Sequence, residues 1–432
     1  MNTGPSNPGV ATRVAATRVL DDVMHRGRSL KAVLTAALPP LADARDRAMV
    51  EAIVFTALRQ HARFDAALAQ WLQKPLGGRL GELRALMHVG FAQQEMGVPA
   101  HAGVAATVDA ARALGLTHQA GMVNAILRRA QREGLPQLHD DASWPHWLSQ
   151  RIRQDWPCHA ESIFPASAQV APMWLRVNPR DGSRDDYLQR LTDAGIEASA
   201  LPEAPDAIRL STPLPVHALP GFETGSVSVQ DAAAQRVADA LAPASGARVL
   251  DACAAPGGKA AHLLERDPTL QLTALDIDPR RVRRMQDTFK RLGLQATTRA
   301  ADAAQPSRWW DGAAFDAILI DAPCSATGIV RRQPDVLLHR READIAALNS
   351  IQSGLLDALW PLLAPGGTLV YATCSILRAE NAGQVEAFLA RMPDAILEPL
   401  DAGYGHDTGC GHQRLPGELG MDGFFYARLR KA

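Results

Sequence analysis

The chain has no long hydrophobic run and no paired cysteines. None of its apolar stretches approaches the roughly 18 residues that a transmembrane helix needs, so we expect no membrane partner. The first residues, MNTGPSNPGVATRVAATRVLDDV, lack the apolar segment of a secretory signal, which predicts a cytoplasmic protein. The five cysteines form no Cys-x-x-Cys pair, which argues against disulfides and against a metal site.

The sequence also has almost no net charge. A net charge of −1, with 47% hydrophobic and 21% charged residues, is typical of a soluble globular protein and gives no global sign of a nucleic-acid partner. Residues 1–150 are slightly basic, with sixteen Lys and Arg against twelve Asp and Glu. A polyanion would therefore have to bind local clusters of arginine residues. Each cluster could instead be part of a solvated helix face. The candidate residues are Arg280, Arg281, Arg283, Arg284, Arg331, Arg332, Arg340 and Arg341.

The pattern of apolar residues changes twice along the 432 residues, which predicts three domains. Residues 1–140 carry amphipathic helical stripes, such as the apolar positions of MVNAILRRA, and form an all-helical domain. Residues 141–225 mix helix and strand signals in a small α/β unit. Residues 226–432 alternate apolar strands with helices, which indicates a parallel, doubly wound sheet closed by an antiparallel pair from DAILEPL and GFFYARLR.

The first strand of this sheet leads into DACAAPGGKAAHLL, a turn with paired glycines. Gly257 and Gly258 would let a ligand approach the backbone closely at the start of a helix. The stretch is not a P-loop, because Cys253 occupies the first glycine position and Ala260 follows Lys259. A purely structural turn remains an open alternative.

Acids follow the next two strands of the sheet. Asp276 stands where nucleoside-binding sheets place the carboxylate that accepts hydrogen bonds from ribose, and Asp302 closes the third strand. Either residue could instead cap a helix. Together they favour a nucleoside cofactor without a pyrophosphate.

Two cysteines follow the fourth and fifth strands. Cys324 and Cys374 each come just after an apolar run and before a serine, and Asp321 precedes Cys324 by three residues. Such a thiol could be a nucleophile beside an acid that acts on a bound base. Buried core cysteines and a redox pair are the alternatives, and the spacing does not assign different roles to the two thiols.

The motifs together resemble a known enzyme family. DACAAPGGK, DAPCSATGIVRRQPD, YATCSILRAEN and RLPGELGMDGFFYARLRK resemble, in order, the NOL1/NOP2/Sun family of RNA cytosine-C5 methyltransferases, over residues 226–432. Gln333, where many members carry histidine, is a small departure. DARDRAMVEAIV, VPAHAGVAATVDAA and MVNAILRRA resemble the antitermination factor NusB, a combination similar to the family members that methylate 16S rRNA.

The resemblance implies a Rossmann-like class I methyltransferase fold, with a mostly parallel doubly wound sheet and an antiparallel end strand, preceded by an all-α NusB-like domain. It implies S-adenosyl-L-methionine as cofactor and a single-stranded or loop cytosine of 16S rRNA as substrate. It implies no metal, and we expect a monomer.

The resemblance also implies roles for individual residues. Asp276 would bind the ribose of the cofactor and Asp302 its adenine, while Asp321 would lie between the cofactor and the target base. Cys374 would be the nucleophile and Cys324 would help to release the product. The methionine part of the cofactor would be lined by Cys253, Ala254, Ala255, Pro256, Gly257, Gly258 and Lys259.

Two other functions are compatible with parts of this pattern. A DNA cytosine methyltransferase would use Cys324 as its nucleophile, although the intact TCS motif and the NusB-like region argue against it. A non-catalytic RNA-binding assembly factor would keep the sheet, but we see no damaged motif. A protein methyltransferase is disfavoured because an NPPY-type motif is absent.

Overall fold

The computed structural model describes residues 9–432, and of Arg79 only the backbone. Residues 1–8, at the beginning of the predicted helical domain, lie outside this range. The chain forms two compact units. The first contains the described residues up to Gln150 together with Val330–Arg340, and the second contains Arg151–Ile329 and Arg341–Ala432. Among the described residues, no helix has both the length and the apolarity needed to cross a bilayer.

The first unit is helical, as predicted. In the helix Ala120–Glu133, the buried residues Val123, Ile126, Leu127 and Ala130 form the stripe expected from the sequence. The helix Gly81–Glu95 is buried more completely, because every residue from 85 to 93 is buried. The helices lying wholly within it are α1 Val10–Arg26, α2 Leu30–Ala37, α3 Ala44–Arg59, α4 His61–Trp71, α5 Gly81–Glu95, α6 Ala100–Ala113, α7 Ala120–Glu133 and the short α14 Val336–His339.

A segment distant in sequence completes this helical unit. Within Val330–Arg340, Asp335 accepts a hydrogen bond from the Leu30 backbone N–H at 3.0 Å, at the first residue of α2. Arg59 donates to the Arg331 carbonyl at 2.8 Å. Arg331 is itself buried, at 3% exposure. Both sequence interpretations of Arg331, a phosphate-binding cluster and a solvated helix face, need an exposed side chain and are therefore wrong for this residue.

The second unit contains two sheets. The smaller one is antiparallel, in the order β2, β3, β1, β4. The elements leading up to the larger sheet are α8 His146–Asp155, which begins at the end of the first unit, α9 Ala160–Ala168, β1 Met173–Val177, α10 Arg184–Asp193, β2 Ala198–Leu201, β3 Ala204–Leu210, β4 Val227–Val229 and α11 Ala232–Leu241.

The larger sheet has the strand order β11, β12, β13, β9, β8, β5, β6, β7, with β10 also paired to β13. Strands β5 to β9 are parallel, while β13 runs antiparallel to both β9 and β10, as the last two apolar runs predicted. Its elements are β5 Arg248–Asp251, α12 Gly258–Arg266, β6 Gln271–Asp276, α13 Pro279–Leu292, β7 Thr297–Ala300, β8 Phe315–Asp321, α15 Glu342–Leu359, β9 Leu363–Thr373, α16 Ala382–Arg391, β10 Ala395–Glu398, β11 His406–Asp407, β12 His412–Arg414 and β13 Phe424–Lys431.

Helices cover both faces of this sheet. Helices α11, α12 and α13 contribute to one buried cluster, and α15 and α16 contribute to the other. The predicted doubly wound architecture is therefore confirmed, and its parallel strands place their carboxyl ends along one edge.

Candidate active site

The polar residues predicted to form the site follow the carboxyl ends of the five parallel strands. These strands end at Asp251, Asp276, Ala300, Asp321 and Thr373. Because neighbouring parallel strands end at the same edge, the topology brings together residues that are up to about 120 positions apart in sequence.

The two cysteines of the predicted site contact each other. The Sγ atoms of Cys324 and Cys374 are 3.4 Å apart, and both side chains are partly exposed. The two loops are joined by a hydrogen bond from the Gly328 N–H to the Cys374 carbonyl at 2.9 Å. The hydrogen bond with Cys374, together with burial, raises the pKa of Cys324 well above its ordinary value. The Cys324 thiol is therefore harder to ionise than a free cysteine, and either sulfur could donate in the contact between the two.

An ion pair lies next to these thiols. The Nζ atom of Lys259 is 2.6 Å from Oδ2 of Asp321 and 5.1 Å from the ring centroid of Phe424. Burial alone would lower the pKa of Lys259, but the Asp321 carboxylate outweighs it, with a smaller contribution from Cys374, so the pKa is raised. Lys259 therefore carries a positive charge at the site. It follows the two glycines directly and links them to Asp321.

The two glycines of the turn have different environments. Gly257 has φ +96°, and a Cβ atom there would lie 2.8 Å from Cγ of Met285 on α13. A Cβ atom on Gly258 would meet nothing closer than Nε2 of Gln230, at 3.6 Å. Packing against Met285 therefore explains why position 257 is a glycine. Gly258 instead leaves space at the beginning of α12.

Asp251 is a buried carboxylate that sequence reasoning did not select. It is fully buried, and neither carboxylate oxygen has a hydrogen-bond partner of normal geometry among the described residues. The backbone N–H of Cys253 acts to lower the pKa of Asp251, but this effect is outweighed. Burial, and then the charge of Asp321, raises the pKa of Asp251 to about 7. Such a group is costly unless a cationic or hydrogen-bonding ligand pairs with it. Its position at the end of the first parallel strand was the available signal.

Cys253 lies two residues further on, in the glycine turn. Burial, followed by the charges of nearby carboxylates, raises its pKa far above the ordinary value. Its neutral side chain fits the predicted role of lining a ligand.

Asp276 is buried at the end of β6 and contacts two partners. Its side chain is 3% exposed, accepts a hydrogen bond from the Asp278 N–H at 3.0 Å and lies 3.1 Å from Nη1 of Arg281. Arg281 also donates to the Ala255 carbonyl at 2.7 Å. Arg281, which the sequence grouped with exposed phosphate-binding arginines, therefore ties Asp276 to the glycine turn. The next residue, Ile277, is 69% exposed, an apolar surface beside this carboxylate.

Asp302 caps a local turn. Its Oδ1 accepts from the Ala304 N–H at 3.0 Å, and its Oδ2 accepts from the Gln305 side chain at 2.7 Å. Asp302 therefore stabilises a turn and does not cap a helix, and its predicted contact with the cofactor stays a prediction. Within residues 9–432, no three His, Cys, Asp or Glu side chains are grouped so that they could hold a metal ion.

Comparison with known proteins places these features in a family. The NusB family model matches residues 10–132, the ferredoxin-like domain of RsmF/B-like methyltransferases matches residues 144–217, and the model for 16S rRNA methyltransferase RsmB/F matches residues 238–430. Ribosomal RNA small subunit methyltransferase B of Xanthomonas campestris is 59% identical over 427 residues, which cover 98% of each chain. The protein of the same name from Vibrio vulnificus is 46% identical over 429 residues, covering 97% of this chain and 99% of its own.

Solved structures support the same fold. The crystal structure of PH0851 has a TM-score of 0.81 at 23% identity, covering 97% of this chain and 99% of its own. A methyltransferase homologue from Pyrococcus horikoshii has a TM-score of 0.59 at 30% identity, covering 67% of this chain and 96% of its own. The fold class and the family predicted from the motifs are confirmed. The chain belongs to the RsmB/F family of 16S rRNA methyltransferases.

Proposed function

We propose that the protein transfers a methyl group from S-adenosyl-L-methionine to C5 of a cytosine in 16S rRNA, through a transient bond between Sγ of Cys374 and C6 of the base. The observation that carries this proposal is the 3.4 Å contact between the two thiols, with the Lys259–Asp321 ion pair beside them. Family membership supports an rRNA substrate.

The residues at the edge of the sheet fit S-adenosyl-L-methionine. The unpaired carboxylate of Asp251 would be compensated by the positively charged methionine end, lined by Cys253–Lys259. Asp276 would accept from the ribose hydroxyls, with Ile277 and Asp302 on the adenine side. When bound, the cofactor supplies an electrophilic methyl group.

Cys374 would activate the base for methylation. C5 of cytosine is a weak nucleophile, and addition of a thiolate to C6 moves electron density onto C5. A free thiol has a pKa of about 8.5, so the site must favour the thiolate. The S–H of Cys324 and the charge of Lys259 would both stabilise a thiolate at Cys374.

Asp321 and Cys324 would act after this addition. Asp321, oriented by Lys259, would accept a hydrogen bond from the N4 amino group of the cytosine and hold the base against Cys374, while the positive charge of Lys259 would offset the negative charge that builds up on the ring. After C5 is methylated, water takes the C5 proton, and the electron pair of the C5–H bond expels the Cys374 sulfur from C6 as a thiolate. The S–H of Cys324, already in contact with that sulfur, would stabilise the departing thiolate.

The substrate base would have to leave its stack to reach these groups. Unstacking costs a few kcal/mol in a duplex and less in a loop, so we propose a loop or partly opened helix as the target. The exposed Arg283 and Arg284 on α13 are available for phosphates, and the NusB-like unit is a second RNA-binding candidate.

The experiment is methyl transfer from isotope-labelled cofactor to 16S rRNA and, in parallel, to DNA of the same sequence, followed by mass spectrometry of the nucleosides. We expect labelled 5-methylcytidine from RNA and no product from DNA. A DNA product would support the DNA methyltransferase. RNA binding without any methyl transfer would support the assembly factor.

A further inference from the structure

Glu380 is a fully buried carboxylate beside the two thiol-bearing loops. Its side chain has 0% exposure, and the residue lies in a short turn that follows the TCS motif. Glu380 lies within the YATCSILRAEN motif, but the resemblance implies no role for it and the mechanism proposed above does not use it. A charge buried this completely persists only where its partners are fixed around it.

The carboxylate of Glu380 bridges the residues that follow each cysteine. Its Oε1 accepts from the Ser325 N–H at 2.8 Å, and its Oε2 accepts from the Ser325 hydroxyl at 2.5 Å. Oε2 also accepts from the hydroxyl of Ser375 at 2.6 Å. Since Ser325 follows Cys324 and Ser375 follows Cys374, one side chain is bonded to both loops.

The surrounding hydroxyls fit an acceptor-only group. The Oγ atoms of Ser325 and Ser375 and the Oγ1 of Thr327 lie 3.1 Å from one another. Thr327 also accepts from the Ile376 N–H at 3.1 Å. Both serines direct their protons to Glu380, so an ionised carboxylate satisfies the cluster. A glutamine amide in its place would direct its N–H groups at hydroxyl groups that already donate, so these hydroxyls would have to rotate to accept.

We propose that Glu380 is a positioning residue that holds the loops of Cys324 and Cys374 together, so that their sulfur atoms stay in contact. The role deepens the proposed two-thiol mechanism and rests on it. Thiol addition and release both need sulfur atoms placed accurately against one base, and a shift of about 1 Å in a reacting group can cost a hundredfold in rate.

The first test compares the wild type with Glu380→Ala and Glu380→Gln in the full-length protein. We expect Glu380→Ala to slow covalent adduct formation with 16S rRNA about 100-fold, while the Kd for RNA and for S-adenosyl-L-methionine change less than about threefold. Glu380→Gln should recover part of the rate, because an amide can reach the same serines after the hydroxyls rotate.

Leu429→Ala is the matched control. Leu429 is fully buried on β13 of the same unit, so this variant should lower thermal stability without slowing adduct formation. If Leu429→Ala slows the adduct as much as Glu380→Ala at equal loss of thermal stability, the positioning role is wrong.

A second readout needs no RNA. Loosening the loops would break the contact that keeps the Cys324 thiol protonated, so alkylation of Cys324 by iodoacetamide at pH 8 should become about tenfold faster in Glu380→Ala. This result is expected even if Cys374 forms no RNA adduct in the wild type, which separates failure of the proposed function from failure of the positioning role.

Ser375→Ala keeps the proposal testable if Glu380→Ala does not fold. It removes one of the bonds from the loops to Glu380 and should accelerate Cys324 alkylation to a smaller extent. Unchanged alkylation and an unchanged adduct rate in the folded variants would overturn the positioning role.

Discussion

The Nζ atom of Lys259 lies 2.6 Å from Oδ2 of Asp321, and this pair joins the beginning of α12 to the end of β8. One member comes from the motif expected to line the cofactor and the other from the motif expected to contact the base. The pair therefore links two functions that the sequence motifs suggest separately.

Replacing Lys259 with methionine should lower single-turnover methyl transfer about 100-fold, because the variant loses a preorganised charge beside the reacting thiol and releases Asp321. Lys290→Met is the matched control, since Lys290 is exposed on α13 and should leave the rate unchanged. Rapid-quench assays with labelled cofactor measure the rate. Equal rates in both variants would show that the ion pair has no part in the reaction.

The neighbouring glycines should respond differently to alanine. Gly257→Ala should lower the free energy of unfolding by about 1–3 kcal/mol, because φ is +96° and the new Cβ would collide with Met285. Gly258→Ala should fold normally but weaken cofactor binding. Urea unfolding and calorimetric titration measure the two effects, and the reverse pattern would contradict the distinction drawn between the glycines.

Asp251→Asn should stabilise the cofactor-free protein in a pH-dependent manner. The pKa of Asp251 is about 7 in the folded chain and about 3.9 when unfolded. The wild type therefore loses stability as the pH rises from about 4 to about 7, while the unfolded carboxyl is ionised and the folded one is not.

The gain in Asp251→Asn should consequently be near zero at pH 4 and level off above pH 7, at roughly 2–4 kcal/mol. Urea unfolding over this pH range tests it, with the exposed Asp287→Asn as control. A gain that does not depend on pH would show that the pKa of Asp251 is not raised in the folded protein.

RNA binding should depend on salt through the exposed arginines of α13. Replacing Arg283 and Arg284 with alanine should each make the plot of log affinity against log salt shallower by about one unit. Arg391→Ala should leave the slope unchanged, because Arg391 is already paired with Asp357 at 2.7 Å. An unchanged slope in the α13 variants would remove this helix from the RNA-binding surface.

The sequence predicted the features that depend on short-range pattern. The apolar runs ending at Asp251, Asp276 and Asp321 became parallel strands, and the contact of Cys324 with Cys374 follows from their place after neighbouring strands. The individual residue roles and the domain boundaries at residues 140 and 225 stay predictions.

Features that depend on distant partners could not be predicted in this way. Asp335 reaches the backbone of Leu30 across 305 positions, and nothing in the local pattern of its segment marks that partner. Glu380 lies within a quoted motif, but that motif does not reveal its hydrogen bond with Ser325, 55 positions earlier. The lack of a hydrogen-bond partner at Asp251 is a property of packing alone.

The most direct measurement is peptide mapping of the covalent protein–RNA adduct by mass spectrometry in the wild type, Cys374→Ala, Cys324→Ala and the control Cys158→Ala, whose cysteine is exposed outside the site. The proposed mechanism predicts that Cys374→Ala forms no adduct, that Cys324→Ala accumulates it on the peptide containing residue 374, and that Cys158→Ala behaves as the wild type. An adduct that persists in Cys374→Ala would contradict the mechanism.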